Sequence, residues 1–187
     1  MHTFELIDGG LLVYDEDFLP DDLAHEYFDD LRNECQWEPM AATFGFLQPR
    51  FTASYGDNGI VYGDSGQLNP VLPWTSTLLS LKEKIESVQG RFNYCHLCYY
   101  KSGPDNVSWH ADSTNGTSDV IGSLSLGATR TFRVRHRVKK RPRSFIQRNG
   151  TLIIMAGAMQ QHWEHNAQSS DESVGERMKL TFRFIEQ

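Results

Sequence analysis

Six short segments between Phe92 and Ile185 constrain the fold of this chain more than any other feature of its sequence. Each is rich in aromatic and β-branched residues, and Gly, Asn, Ser or Pro separates it from the next. The predicted strands are 92–100, 107–111, 120–126, 129–138, 151–155 and 178–185. Short strands at this spacing are typical of a β-sandwich or barrel. We therefore expect a mainly β domain with some helix (α+β), built as a double-stranded β-helix, or jelly roll.

The N-terminal half is predicted to support this core with helices. Leu23, Tyr27 and Leu31 recur at helical spacing after Pro20, and a second helix is predicted over 75–88. Residues 11–14 are predicted to form a strand, and the segment 44–54 is predicted to be extended. The 187 residues contain no repeat or linker, so we expect one domain, 1–187. Its helical support would cover about 1–90 and its jelly-roll core about 91–187.

Composition excludes several classes of protein. Hydrophobic residues are 39% and charged residues 22%, which is globular rather than disordered or fibrous. No apolar run approaches the about 18 residues of a membrane helix, and the N-terminus lacks a secretory signal. We therefore expect an intracellular monomer, in the cytoplasm or nucleus, with no membrane partner. Three cysteines fit a reducing compartment, and the single C-x-x-C of Cys95 and Cys98 favours ordinary strand residues over a zinc site.

The charge of the chain is unevenly distributed. The formal net charge of −6 by itself argues against a nucleic-acid partner. Residues 130–148, however, hold nine of the 18 lysines and arginines and no acidic residue. Such a concentration is typical of a surface that meets a polyanion, although a solvated hairpin loop explains it equally well. The candidate contacts to a nucleic-acid backbone are Arg133, Arg135, Arg137, Lys139, Lys140, Arg141 and Arg143.

The candidate metal ligands begin with His110 and Asp112. They are two residues apart, so on a strand both side chains leave the same face. With His165 they would make the two-histidine, one-carboxylate set that holds Fe(II) in non-haem oxygenases. Three octahedral positions then remain for a bidentate keto acid and O2. Other candidates for the third ligand are His162, His96 and His136. We expect this metal site to lie elsewhere on the barrel from the basic segment.

The C-terminal segment from Arg177 to Arg183 alternates strictly between apolar and polar residues. One face is apolar, and the other carries Arg177, Lys179, Thr181 and Arg183. We expect a half-buried strand whose cations need an anion, because unpaired buried charge is very costly. A dicarboxylate such as 2-oxoglutarate supplies that anion, and arginine binds carboxylates through bidentate hydrogen bonds. The alternative is an exposed edge strand with a solvated basic face.

These residues belong to a longer series of motifs that resembles the AlkB family of Fe(II)/2-oxoglutarate dioxygenases, which remove alkyl groups from nucleic-acid bases by oxidation. The resemblance covers about Pro49 to Phe184 and rests on the order and spacing of the motifs. The motifs are Pro49–Arg50, Tyr55–Asp57, Phe92–Asn93, Tyr100–Gly103, Trp109–Asp112, Ser123–Phe132, Trp163–His165 and Arg177–Arg183.

The resemblance implies a jelly roll with an N-terminal lid that recognises nucleotide, Fe(II) as cofactor, and 2-oxoglutarate and O2 as co-substrates. It assigns the iron ligands to His110, Asp112 and His165, and so decides against His162. The residues it assigns to 2-oxoglutarate are Tyr100, Arg177, Thr181 and Arg183.

Some positions depart from the family pattern. Cys98 stands where the family usually has an Asn that contacts the co-substrate, and Lys179 where it usually has Asn or Ser, so both are candidate 2-oxoglutarate contacts. Ser113 replaces an acidic residue that reads the lesion, and Asp64 replaces an aromatic residue that stacks on the base in some members.

The leading hypothesis is oxidative demethylation or dealkylation of N-alkylated bases in DNA or RNA. The target base would be flipped out or already unpaired. The candidate substrate contacts are Phe44, Tyr55, Tyr62 and Ser113, although core packing is the alternative for each aromatic residue. A second hypothesis is an oxygenase of the same fold that hydroxylates a protein or small molecule, which the acidic remainder of the chain favours. A third is a noncatalytic nucleic-acid-binding module, which the intact triad opposes.

Overall fold

The computed structural model describes residues 1–41, 47–64, 67–69, 71–101, 107–112, 118–167 and 175–186. The helices are α1 (Asp21–Glu34), α2 (Ser76–Glu86) and the short α3 (Met159–His162). The first strands are β1 (His2–Leu6), β2 (Gly10–Asp15), β3 (Glu38–Ala41), β4 (Leu47–Gly56), β5 (Tyr62–Asp64), β6 (Gln67–Asn69) and β7 (Leu72–Pro73). The remaining strands are β8 (Tyr94–Tyr100), β9 (Val107–His110), β10 (Ile121–Gly127), β11 (Arg130–His136), β12 (Pro142–Gln147), β13 (Thr151–Gly157), β14 (Trp163–Ala167) and β15 (Arg177–Arg183).

Both predicted N-terminal helices are present. Helix α1 begins after Pro20 and buries Ala24, Tyr27, Phe28 and Leu31 on one face, which is the helical periodicity seen in the sequence. Helix α2 begins after Thr75, whose side-chain oxygen accepts a hydrogen bond from the Leu78 amide. Within the described residues, no helix is long and apolar enough to cross a membrane.

In the described part of the chain, the strands form two large sheets and a small hairpin. A nine-stranded sheet has the order β1-β2-β13-β10-β15-β8-β4-β3, with β7 paired to β4. A four-stranded sheet has the order β12-β11-β14-β9, and β5 pairs with β6. All pairings are antiparallel except that of β4 with β7. The structure is therefore mainly β, as predicted.

The nine-stranded sheet has two chemically different faces. One face packs against α1 and α2 through apolar residues such as Leu97, Leu124, Leu180 and Phe182. Because side chains alternate along a strand, the neighbouring residues of β8, β10 and β15 point to the opposite face. That inner face meets the four-stranded sheet, and the space between the sheets holds both a second apolar cluster and the candidate site.

The second apolar cluster fills one part of the space between the sheets. The nine-stranded sheet contributes residues such as Ile121 and Ile153, and the four-stranded sheet contributes Phe132, Val134 and Phe145. Farther along the inner face, towards β15 and β8, the inward residues are polar. The interior is therefore apolar on the side of β2 and β13 and polar on the side of β15 and β8.

Several elements differ from the prediction. The elements that were not predicted are strands β1, β3, β5, β6, β7, β12 and β14 and helix α3. Strand β15 is not half-buried, because all seven of its residues are buried between β10 and β8. The alternative of an exposed edge strand is therefore wrong. The N-terminal strands also join the large sheet, since β2 pairs with β13 and β4 with β8.

Candidate metal and co-substrate site

The structure brings His110, Asp112 and His165 together. Strand β14 pairs with β9 so that His165 lies opposite His110, and Asp112 follows two residues later. One possible ligand atom from each residue lies within 4.8 Å of the others. The Asp112 carboxylate is 3.6 Å from His110 Nε2 and 3.3 Å from His165 Nε2. This spacing allows one ion to bind all three side chains.

The electrostatics of this cluster favour a metal ion. His165 is buried, and burial lowers its pKa to about 4, although Asp112 opposes this shift. Burial alone would raise the pKa of Asp112, but Arg183 and His165 hold it well below its ordinary value. The site therefore offers a neutral imidazole and an ionised carboxylate, which are the protonation states that bind metal. His165 Nε2 and Asp112 Oδ2 are buried without a hydrogen-bond partner in the described structure, so an ion would satisfy both.

Neighbouring groups orient these ligands. His110 Nδ1 donates to the Ser108 carbonyl at 2.7 Å, which leaves Nε2 as the coordinating nitrogen. The Asp112 amide donates to the side-chain oxygen of Gln160, on α3, at 2.9 Å. The sequence did not point to Gln160, because glutamine is not a usual metal ligand and its role is to hold the loop.

The other candidate histidines lie outside this cluster. His136 is buried and pairs with Asp8 at 2.9 Å, and the exposed His162 stacks near it with ring centroids 6.3 Å apart. His96 lies on β8, with its ring nitrogens near Ser54 and Cys98. The geometry thus groups His165, and not these three, with His110 and Asp112.

The cations predicted to bind the co-substrate lie on the inner face of β15. Arg177 is 1% exposed, and its guanidinium donates to Ser125 Oγ at 3.1 Å and to Gln147 Oε1 at 2.9 Å. It also lies 5.8 Å from the centre of the Tyr100 ring. Burial lowers the pKa of Arg177 to about 10, and its hydrogen-bond partners here are neutral. A carboxylate of the co-substrate would supply the missing negative charge.

Arg183 links strand β15, which carries the cations, to the candidate metal ligands. Its Nη2 donates to Asp112 Oδ1 at 2.9 Å, so the large sheet and the small sheet meet across the site. Thr181 is buried on the same face, two residues before Arg183. Lys179 is also buried there and has no hydrogen bond or ion pair within the described residues. Its cross-strand partner on β8 is Cys98, which is only partly buried.

The candidate substrate contacts are placed less completely. Phe44 and Ser113 lie outside the described residues, and for Tyr62 only the backbone, on β5, is described. Tyr55 is 3% exposed and packs in the helix-side core, on the face of β4 opposite the site. Tyr55 is therefore not positioned to stack on a base, because its ring belongs to the core and its hydroxyl accepts a hydrogen bond from the Gln36 amide.

The basic segment forms β11, a turn and β12. The alternation holds as predicted, since Phe132 and Val134 are buried while Arg133 and Arg135 are partly exposed. Some of this positive charge is neutralised, since Arg135 and Lys140 both bind Glu164, at 2.6 and 2.7 Å.

The expectation that this segment lies away from the metal site is wrong. Strand β11 pairs directly with β14, and Val134 lies opposite His165. Arg133 and Arg135 lie over the Trp109 ring, one residue before His110. Arg137 is tied to the backbone of α3 and β14 through the Gln160 and Trp163 carbonyls. Lys139, Arg141 and Arg143 are exposed, and their side chains make no ion pair in the described structure.

Comparison with known proteins shows which family the chain belongs to. The family described as the 2OG-Fe(II) oxygenase superfamily matches residues 11–183. The rat protein named alpha-ketoglutarate-dependent dioxygenase alkB homolog 3 is 35% identical over 176 residues, which are 83% of this chain and 58% of that protein. Human DNA oxidative demethylase ALKBH2 is 31% identical over 180 residues, which are 87% of this chain and 69% of that protein.

A solved structure shares the fold. The structure of OsALKBH1 superimposes with a TM-score of 0.65 at 16% identity and covers 98% of this chain and all of that one. The chain spans less than two thirds of the length of the alkB homolog 3 proteins that it matches. The matched region includes the three candidate metal ligands and strand β15. The chain therefore belongs to the AlkB family within the 2OG-Fe(II) oxygenase superfamily, whose members are dioxygenases that use Fe(II), 2-oxoglutarate and O2.

Proposed function

We propose that this protein removes alkyl groups oxidatively from N-alkylated bases in DNA or RNA. The observation that carries the proposal is the His110–Asp112–His165 cluster, joined through Arg183 to a buried row of cations. The relatives named above include a DNA oxidative demethylase, which supports the choice of substrate class. Alkylated DNA or RNA is an intracellular substrate, in keeping with the expected location.

His110, Asp112 and His165 would hold the iron, and Tyr100 and Arg177 would bind a carboxylate of 2-oxoglutarate. When bound, the two groups supply the oxidation of an N-alkyl carbon by O2, with release of succinate and carbon dioxide. Arg183 keeps the Asp112 carboxylate ionised and oriented by its 2.9 Å hydrogen bond. Thr181, Lys179 and Cys98, on the same face of β15 and β8, would supply further polar contacts to the co-substrate.

The surface around the site suits a polyanion. Trp109 directly precedes the ligand His110, and the guanidinium of Arg135 lies 4.0 Å from the centre of its ring. Farther along the segment, Lys139 and Arg141 are exposed between β11 and β12, and Arg143 is exposed on β12. Contacts of this kind bind phosphates and position the strand with little dependence on sequence.

The decisive experiment measures succinate release from 2-oxoglutarate by the Fe(II)-loaded protein, with and without a single-stranded oligonucleotide that carries methylated bases. We expect the methylated strand to stimulate succinate release and to lose its methyl groups, and we expect the unmethylated strand to do neither. An Asp112→Ala variant serves as the control without the anionic ligand. Succinate release that no nucleic acid stimulates would favour an oxygenase acting on a protein or small molecule. Binding of oligonucleotides without any turnover would favour a noncatalytic module.

A further inference from the structure

Cys98 lies in a row of hydrogen-bonded polar groups on the pocket face of β8 and β4. Its Sγ is 3.5 Å from His96 Nε2, and His96 Nδ1 is 3.2 Å from Ser54 Oγ. Ser54 Oγ in turn shares a hydrogen bond of 2.9 Å with the Tyr94 hydroxyl. A thiol beside an imidazole that a third group orients is the arrangement that activates sulfur as a nucleophile.

Cations flank Cys98 on both neighbouring strands. Lys179 lies directly opposite on β15, is 8% exposed, and has no hydrogen bond or ion pair within the described residues. His96 lies two residues before Cys98 on β8, and Arg50 on β4 adds a positive charge. Tyr100, two residues along β8, has a pKa raised by burial and by Cys98 itself. The Lys179 ammonium therefore has the Cys98 sulfur as its cross-strand neighbour.

The ionisation of the thiol follows from these contacts. Burial alone would raise the pKa of Cys98, but His96, Arg50 and Lys179 outweigh it and lower the pKa to about 6. The other two cysteines behave in the opposite way. Cys35 and Cys95 are buried in the helix-side core, and burial raises the pKa of Cys35 to about 12 and that of Cys95 well above its ordinary value. Cys35 and Cys95 can therefore serve as internal controls for the reactivity of Cys98.

We infer that Cys98 is a peroxide-reactive modification site, and that its oxidation blocks the co-substrate pocket. Cys98 is partly exposed, so a small hydroperoxide can reach it. The effect of oxidation on co-substrate binding rests on the proposed function, because it assumes that 2-oxoglutarate binds beside Tyr100 and Arg177. The reactivity of Cys98 itself does not rest on that assumption.

The reaction is a two-electron oxidation of sulfur. The thiol proton passes to His96, and the thiolate attacks one oxygen of the hydroperoxide. An S–O bond forms as the O–O bond breaks, and the leaving alkoxide or hydroxide takes the electron pair and the proton from His96. The sulfur becomes a sulfenic acid, and the peroxide is reduced to an alcohol or water. A thiol reductant reverses the change, by forming a mixed disulfide with loss of water and then exchanging with a second thiol.

Oxidation adds an oxygen atom to a wall that the co-substrate must approach, next to Lys179. The added oxygen should weaken binding of 2-oxoglutarate by occupying part of its site, and bound 2-oxoglutarate should in turn shield the thiol.

The test uses full-length protein loaded with Mn(II), so that peroxide does not react with iron. The protein is treated with hydrogen peroxide and a sulfenic-acid trap, and the modified peptide is identified by mass spectrometry. We expect one adduct, on Cys98, which a Cys98→Ser variant lacks and a Cys35→Ser variant keeps. Excess 2-oxoglutarate should slow the labelling. The oxidised protein should bind 2-oxoglutarate at least about tenfold more weakly by calorimetry, as expected when the added oxygen prevents one charge-assisted contact of the co-substrate.

The ionisation of the Cys98 thiol is measured in a separate experiment, which follows the rate of its alkylation as a function of pH. The midpoint for wild-type protein should lie near 6. His96→Gln and Lys179→Met should each move it towards the value of about 8.5 for a free thiol. Since either variant could fail to fold, the two serve as independent tests. Preferred labelling of Cys35 or Cys95, a wild-type midpoint near that of a free thiol, or unchanged 2-oxoglutarate affinity after oxidation would overturn the proposal. Unoxidised protein that binds no 2-oxoglutarate would instead contradict the proposed function, and the labelling result would be judged alone.

Discussion

Single residues in the pocket combine structural and chemical roles. Arg183 is one example, because its guanidinium orients Asp112, a candidate metal ligand, and it lies on β15 with the residues proposed to bind the co-substrate. Arg177 is another, since it holds Ser125 and Gln147 in place and still carries a charge with no anionic partner among those contacts. A substitution at either position therefore changes both the local packing and the electrostatic potential in the pocket.

Removal of the Arg177 guanidinium should weaken binding of 2-oxoglutarate. A charge-assisted hydrogen bond is worth roughly 1.5–3 kcal/mol, so Arg177→Ala should raise the Kd by about tenfold or more. Calorimetry on Mn(II)-loaded protein measures this directly. The matched control is Arg141→Ala, which removes an exposed arginine from the basic segment and should leave the Kd unchanged. Equal effects of the two variants would contradict a specific role for Arg177.

The protonation of His165 should appear in the stability of the metal-free protein. In the unfolded chain this histidine binds a proton near its ordinary pKa of 6.5, whereas burial keeps it neutral in the folded protein down to about 4. Between these values the unfolded state binds more protons, so stability should fall as the pH drops from about 6.5 towards 4. Urea unfolding of chelator-treated protein at pH 7 and pH 5 measures the change. A His165→Gln variant should show a smaller loss between the two pH values, and an equal loss would contradict the assignment.

The sequence pointed to the residues that carry charge and missed those that hold them. His110, Asp112 and Arg177 were predicted because imidazoles, carboxylates and alternating cations are rare enough to stand out in a pattern. Gln160 and Gln147 were missed, because a buried amide is distinguished only by its hydrogen-bond partners, and these come from distant parts of the chain.

At the level of secondary structure, the N-terminal end of α2 allows the contribution of a helix cap to stability to be tested. The Thr75 hydroxyl oxygen accepts from the Leu78 amide at 3.2 Å, and the hydroxyl donates to Glu34 at the end of α1 at 2.6 Å. Thr75→Ala should lower the free energy of unfolding by about 0.5–2 kcal/mol, the usual cost of losing such a cap. Thermal or urea unfolding measures the loss. Thr75→Ser should retain most of the stability, and neither variant should alter metal affinity, since α2 packs on the far face of the sheet.

Strands were predictable where their two faces differ in polarity. Strand β15 was clear from its alternation, and β8 and β10 from their aromatic and apolar content. Strand β12 was missed because it begins with Pro142, continues with exposed polar residues and lies at a sheet edge, where such residues are tolerated. Strand β14 was missed because Glu164 and Asn166 give it an outward face with low strand propensity.

Strand order was beyond the reach of sequence patterns. Alternation shows which residues share a face but not which strand lies beside it. The pairing of β11 with β14 was therefore not predicted, and it places the basic segment beside His165. This neighbourhood matters for the whole molecule, because it joins the metal site and the positive surface in one small sheet.

For the whole molecule, binding of nucleic acid should depend on the exposed cations of the basic segment. Replacing Lys139, Arg141 and Arg143 with Ser should weaken binding of all sequences alike. It should also reduce the slope of log affinity against log salt by up to about 3, about one for each lost phosphate contact. Fluorescence anisotropy of labelled single-stranded oligonucleotides at several salt concentrations measures the slope. Lys140 is left unchanged, because it pairs with Glu164.

The matched control replaces Lys84 and Arg91, two exposed cations outside the basic segment, with Ser. It should leave the salt dependence close to that of the wild type. An unchanged slope in the triple variant, or no binding by wild-type protein at low salt, would contradict the nucleic-acid surface. The triple variant should still bind Mn(II), since none of its three residues contacts the ligands.

The central position of β15 also limits how this chain can change in length. Every residue of the strand serves one of two faces, with Met178, Leu180 and Phe182 in the helix-side core and the cations in the pocket. A single inserted or deleted residue would shift the register by one and exchange the two sets, which would place charge in the core and apolar side chains in the pocket. The neighbouring strands β8 and β10 are bound by the same rule. Insertions and deletions compatible with function are therefore confined to the connections between these strands, and substrate range can diversify through loop length without disturbing the cations.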